Sequence, residues 1–388
     1  MKGRILSGIC LSAITLLVGC SNFWQAPSTT TTTTTPTTLS SGVFYVLNQQ
    51  TKQIVAYSIS SGTLENVSVN QGTFSAAPYC IAVAPGGGFL YVGTVAGIYL
   101  YTIGSGGALT LANSQGTISS EIPTAIQVDP SGKWLVDATA TASGGVQVNA
   151  IPITSAGILD SGRTEQVPQA FSATNASVNG MAISSDGKYV FVAGGTAGTF
   201  IIPFYSGNAG PLATSNAQTI HPVHSGGSDL SVAVDPTNRL FYIGETLANS
   251  GGTSGGLRIF NYSTLTEETT YSPLATGTSG PNAILPDPAG DFVYVANGAG
   301  TGSNGNIGWF PITASGTTYT VAAGSTIAAG IDPRGLAEDS LGHFVLAVSA
   351  GGGPDLEAYT LSSGALTAAI TSNTGTDPVQ AYAVGALP

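Results

Sequence analysis

Charge is what this chain has least of. Of its 388 residues only 7% are Asp, Glu, Lys or Arg, against roughly 25% in an average soluble domain. Cations are scarcest, with nine Lys and Arg facing twenty Asp and Glu for a formal net charge of −11. Such a body repels nucleic acid and anionic headgroups and has little with which to grip a phosphorylated molecule, which excludes nucleic-acid binding. Three cysteines cannot supply a disulfide framework. No P-loop, no strand–turn–helix nucleophile elbow and no Cys–His pair is written in the sequence, so no cofactor is expected. What remains is 42% hydrophobic residues and 53 glycines, enough for a large core bounded by tight turns. With charge so rare, the surface falls to Thr, Ser, Asn, Gln and Gly, a composition that fits an extracytoplasmic protein of strands and turns.

The first twenty residues fit that location. "MKGR" is a basic leader and "ILSGICLSAITLLV" an apolar stretch too short for a spanning helix. It ends in "LVGC", Leu17 to Cys20, which resembles the bacterial lipobox. That resemblance implies cleavage before Cys20, removal of residues 1–19 and acylation of the cysteine, with enough acyl chains for stable anchoring. Ser21 stands where an inner-membrane retention signal of this kind carries Asp, so an outer membrane is expected if the host has two. Residues 20–41, "CSNFWQAPSTTTTTTTPTTLSS", have too little apolar content for a core and are expected to be a disordered tether. Cleavage removes Lys2 and Arg4 and leaves seven cations against twenty acids, a formal −13. Cys10 leaves with the leader and Cys20 goes to lipid, so only Cys80 remains, expected to be a small buried hydrophobe.

From residue 42 onward the chain repeats itself. "YCIAVAPGGGFLYVG", "TAIQVDPSGKWLVDA", "GMAISSDGKYVFVAG", "LSVAVDPTNRLFYIG", "NAILPDPAGDFVYVA" and "GLAEDSLGHFVLAVS" align on turns opened by Ala84, Asp129, Ser184, Asp235, Asp287 and Asp339. In each, a short apolar strand meets tight-turn chemistry, and an almost wholly apolar run follows that suits a strand buried on both faces. A Gly-rich loop, a more polar strand and a weaker fourth strand complete the unit. Four-stranded antiparallel units at this period describe a β-propeller. The ends supply one more unit: "GVFYVLNQQTKQIVAYSI" has second and third strands but no first, and "DPVQAYAVGALP" has a first strand but no successors. The expectation is an all-β, seven-bladed propeller over 42–388, closed by pairing the N- and C-terminal strands in one blade, which removes exposed edges. A monomer is expected.

The phrase "FVYVANG" and its copies resemble the Tyr-Val-Thr-Asn repeat of the lactonase-like seven-bladed propellers. The resemblance implies a functional mouth built by loops entering first strands and leaving second strands, and, in members that open lactones, Pro-Arg-His on the one and Asn-Glu on the other. A cation there steadies the developing anion while His or Glu handles the proton of water. Arg334 in "DPRGLAED" matches the arginine, but Gly335 follows it, and the other units offer Cys80, Ala125, Gly180, Ser231, Ala283 and Gln380 in the histidine's place. Asn297 and Asn48 match the asparagine, but Gly298 and Gln49 replace the glutamate; Glu245 falls one place early.

A replacement set is conceivable in "TIHPVHSGGSD": His221, His224 and Asp229 precede a first strand, and Glu245 leaves the second strand of the same unit. These four could bind a metal, share a proton or be ordinary polar loop residues, and no metal is assigned to them. Asp137 and Glu121 are further candidates for lining the mouth. Two readings follow. The leading one is an extracytoplasmic, membrane-anchored binding or scaffold module for an unknown small molecule, glycan or protein. The alternative is a lactone hydrolase in which Arg334 steadies the anion and Glu245 or His221 moves the proton.

Overall fold

The computed structural model describes residues 41–68, 74–112, 122–160, 165–167, 175–213, 215–246, 255–276, 280–300, 302–316, 318–371 and 381–388. The leader, Cys20, the expected tether up to residue 40 and Glu121 lie outside the described residues. The regular structure of the described residues is almost entirely strand, with one three-residue 3₁₀ turn at Ser105–Gly107.

Strands gather into four-stranded antiparallel sheets. One runs Pro78–Val83, Phe89–Thr94, Gly97–Ile103, Leu109–Leu111, and the pattern repeats from Ala125–Val128, Gly180–Ile183 and Asp229–Val234. The last strand, Ala381–Ala386, pairs antiparallel with the first, Phe44–Asn48, and shares its sheet with Gln53–Ser60 and Thr63–Ser68. The remaining two units are fused into one eight-stranded sheet. Their junction is a single long strand, Ser325–Glu338. Its first half pairs with Asn304–Trp309 as the outer strand of one blade, and its second half pairs with Phe344–Gly352 as the inner strand of the next. The inner strands of successive units lie against one another round a ring, and Ala381–Ala386 touches the inner strands on both sides of it.

Second strands are central because both their faces are covered: Phe44–Asn48 and Leu240–Glu245 are buried at every position. The repeated tyrosine of these strands reaches across to the next blade. Tyr45, Tyr91 and Tyr294 donate their hydroxyls to the carbonyls of Gly107, Gly157 and Gly364 at 3.0, 2.7 and 3.0 Å. Glycine is needed at these acceptors. Gly157 has φ +75°, and a Cβ there would lie 2.4 Å from the ring of Phe89. Three of the first turns share one device. Asp129, Asp287 and Asp339 each accept two backbone N–H bonds with one carboxylate oxygen, from the residues four and five places on. Turn service by these aspartates is what their placement before tight turns implied.

Candidate functional site

Five of the inner strands skip one residue where they face the last residues of their second strands. Pro333 pairs with Ser349 and Gly335 with Val348, leaving Arg334 between them. The same irregularity leaves out Tyr79, Leu230, Asn282 and Tyr382. A bulge of this kind turns one side chain out of the sheet, and here the turned side chains converge. Together with Thr124 and Asn179 at the matching places of the other two blades, they rim a cavity of about 480 Å³ floored by Ile81, Ile126, Leu336 and Val384. A smaller recess of about 310 Å³ adjoins it between Gln49, Tyr79, Asp332, Arg334 and Tyr382.

Among the described residues Arg334 is the one cation lining the cavity. Its Nε donates to Asp332 Oδ2 at 2.7 Å, its Nη1 reaches the Tyr382 hydroxyl at 3.4 Å, and its guanidinium lies over the Tyr382 ring at 5.4 Å. Tyr79 meets that ring edge-on, centroids 6.1 Å apart. Asn282 Nδ2 donates to Asp332 Oδ1 and to the Pro333 carbonyl, both at 3.0 Å. The arginine side chain keeps 43% of its surface exposed and the Asp332 side chain 34%. No His or Glu lines the cavity among the described residues. Cys80 does, but it is buried, its thiol faces the Pro123 carbonyl at 3.6 Å, and burial pushes its pKa up, so it is no nucleophile at neutral pH.

Glu245, His224 and Asp229 come together elsewhere, around an arginine that the sequence reading passed over. Arg258, 3% exposed, donates from Nη1 to Glu245 Oε2 at 3.1 Å and to the His221 carbonyl at 3.0 Å, and from Nη2 to Glu267 Oε2 at 2.7 Å. Glu245 is fully buried; it also accepts the Val223 N–H and lies 3.3 Å from His224 Nε2. Gly227 lets the loop close over it, since a Cβ there would meet Glu245 Oε1 at 2.4 Å. His224 Nε2 is 2.7 Å from the Thr246 carbonyl, and this bond pushes its pKa up, with Glu245 adding to the effect. Asp229 accepts the Thr199 hydroxyl of the neighbouring blade at 2.7 Å, while its Oδ1 has no partner among the described residues. Burial pushes its pKa up to about 7, and Glu245 and Glu267 press in the same direction against Thr199 and Arg258.

The other sequence candidates are placed singly. His221 contributes its carbonyl to Arg258 and leaves its ring exposed. Asp137 is buried and accepts Asn149 Nδ2 at 2.8 Å. Asn48 is buried and caps its turn through the Thr51 N–H at 2.9 Å. Asn297, fully buried, donates to Asn306 and to the Val295 carbonyl. Neither asparagine lines the cavity. Among the described residues no group of three or more His, Cys, Asp or Glu is arranged to hold a metal. One register is corrected. The counterpart of Gly335 in the terminal blade is Ala383, not Gln380, because Ala381 and Ala383 flank the bulge opposite Asn48 and Leu47. The rim tyrosine, Tyr382, was therefore missed. Tyr79 and Asn282 were legible, since both precede residues already aligned with Gly335.

A family model described as "Lactonase, 7-bladed beta-propeller" matches residues 30–380. No curated protein matches the chain. Among solved structures, a protein of Bacteroides uniformis provisionally named a 6-phosphogluconolactonase aligns over 89% of this chain and 99% of its own at 16% identity, TM-score 0.65. A periplasmic gluconolactonase of Pseudomonas aeruginosa covers the same shares at 17% identity, TM-score 0.65. A protein of unknown function from Desulfotomaculum acetoxidans covers 89% of this chain and 98% of its own at 14% identity, TM-score 0.65. At these identities the likeness is one of fold.

Proposed function

The chain belongs to the lactonase, 7-bladed β-propeller family, and from that premise we propose that its channel mouth binds a small sugar acid or its lactone without turning it over. The observation that carries this is the ring of inner strands, whose bulges deliver Arg334, Tyr79, Tyr382, Asn282 and Leu230 to a cavity of about 480 Å³ that Asn179 also lines. Arg334 is the carboxylate contact, Tyr79 and Tyr382 offer apolar ring surface to a sugar, and the asparagines are hydroxyl partners. The volume lies within the usual range of small-molecule sites. Ring opening needs a group to take a proton from water as well as a cation to hold the oxyanion. The nearest carboxylate, Asp332, is already bonded by Arg334 and Asn282, and this favours retention over hydrolysis. Titration calorimetry with D-gluconate tests the reading: binding by wild type that falls at least tenfold in Arg334→Met supports it, and no heat from wild type removes it.

One observation keeps lactone hydrolysis as a second reading. Asp332 and Arg334 stand 2.7 Å apart and both remain partly exposed, so a carboxylate and a cation share one rim. In that reading Asp332 accepts the proton of water and Arg334 holds the oxyanion. Glu245 is committed to Arg258 and is absent from the cavity wall. Opening of δ-gluconolactone faster than in buffer, and lost in both Arg334→Met and Asp332→Asn, would establish the enzyme.

The body acts outside the cytoplasm as a monomer tethered through acylated Cys20, in the outer membrane where the host has two. The support is the "LVGC" stretch and the Thr-rich segment after it. Metabolic labelling with palmitate in wild type, abolished in Cys20→Ser, is the expected result.

A further inference from the structure

Asp332 is an unusual residue in an unusual place. It stands where the long strand leaves the edge of one blade and becomes the inner strand of the next, with pairing irregular on both sides of Pro333. Its φ is +56°, a left-handed backbone that disfavours side-chain-bearing residues, all the more before a proline. Glycine would adopt that geometry freely. The side chain is held instead: Oδ1 takes Asn282 and Oδ2 takes Arg334, from neighbouring blades. The clamp fixes the Arg334 guanidinium over Tyr382, and among the described residues Nη2 has no hydrogen-bond partner.

The clamp also sets charge. The one cation lining the cavity among the described residues carries a carboxylate 2.7 Å away, so those residues give the rim no net positive charge, and the chain is acidic, with twenty acids against nine cations. A single carboxylate on the ligand can still bond the free edge of the guanidinium. A phosphate group brings nearly two further negative charges, which find no second cation among the described residues lining the cavity and meet Asp332 instead.

We propose that Asp332 determines the charge class of the ligand, admitting neutral or singly charged sugar acids and lactones and turning away phosphorylated ones. This rests on the binding reading of the mouth given above. The test is calorimetry of D-gluconate and 6-phosphogluconate with wild type, Asp332→Asn and Asp332→Gly. Both variants suit a positive φ, and thermal unfolding checks that they are folded. Wild type is expected to favour gluconate at least tenfold. Asp332→Asn keeps an acceptor for Arg334 but loses the charge, and is expected to bind 6-phosphogluconate at least tenfold more tightly than wild type does. Asp332→Gly also releases the arginine and is expected to gain less. If wild type binds gluconate but neither variant gains affinity for the phosphorylated acid, Asp332 is not the determinant, and the binding reading stands. If wild type binds neither acid, both fall.

Discussion

Arg258 and Arg334 are the same side chain in opposite circumstances. Arg258 is shut between blades with two carboxylates and a carbonyl around it and 3% of its surface exposed. Arg334 has one carboxylate, keeps 43% of its side chain exposed and faces the cavity. A buried pair contributes little net stability while intact but leaves a costly orphan when one partner is removed; an exposed pair matters little either way. Richness in charged groups therefore does not mark a functional site. Glu245, His224, Asp229, Arg258 and Glu267 make the denser constellation, and apart from Asp229 Oδ1 their polar side-chain atoms are taken up by one another and by neighbouring Thr199, His221, Val223 and Thr246. The sparser group keeps capacity for something else.

The sharpest way to break that contrast is to truncate both arginines. Arg258→Met strands the fully buried Glu245 and is expected to cost about 3–5 kcal/mol in urea unfolding, whereas Arg334→Met is expected to change stability by less than about 1 kcal/mol. Equal losses would dissolve the distinction.

A second prediction turns on protons. With its pKa raised from 3.8 to about 7, Asp229 holds a proton in the folded chain that the unfolded chain has released. The stability this group contributes is thus lost as pH rises from 3.8 to about 7, and the penalty is complete above that. Asp229→Asn removes the titration while keeping an acceptor for Thr199. Its stability relative to wild type is expected to rise across that window, by about 1–3 kcal/mol at pH 8. His224 titrates in both proteins and cancels in the difference. A flat difference between pH 4 and 8 would show that Asp229 is not held protonated.

A smaller effect belongs to the mouth. Tyr382→Leu removes the ring beneath Arg334, worth about 1 kcal/mol as a cation–π contact, and is expected to weaken gluconate binding about fivefold without altering the unfolding midpoint. An unchanged affinity would mean that the guanidinium is held by Asp332 alone.

The contrast also explains what could be read from the sequence. The blades were legible because a strand buried on both faces and a turn opened by Asp or Ser leave the same local trace each time, as in "FVYVANG" after "DPAGD". The fused strand Ser325–Glu338 was not, because its two halves belong to different blades and only tertiary pairing joins them. Arg334 was found because "DPRG" matches the Pro-Arg that the lactonase-like resemblance places at the entry to a first strand. Arg258 was overlooked because it lies on a third strand, "GLRIFNY", where an arginine reads as surface until the neighbouring loop is seen to cover it. Asp332 was invisible for the opposite reason: Asp before Pro reads as turn service, as it does at Asp129, Asp235 and Asp287, and only the positive φ and the contacts to Asn282 and Arg334 set it apart.

The most direct trial of the account is gluconate calorimetry on Glu245→Gln and Arg334→Met side by side, run well below the unfolding temperature of each. Glu245→Gln is expected to be less stable yet bind as wild type does, and Arg334→Met to be stable yet at least tenfold weaker. Loss of binding in Glu245→Gln with normal binding in Arg334→Met would contradict the account and move the site from the channel mouth to the cluster between the blades.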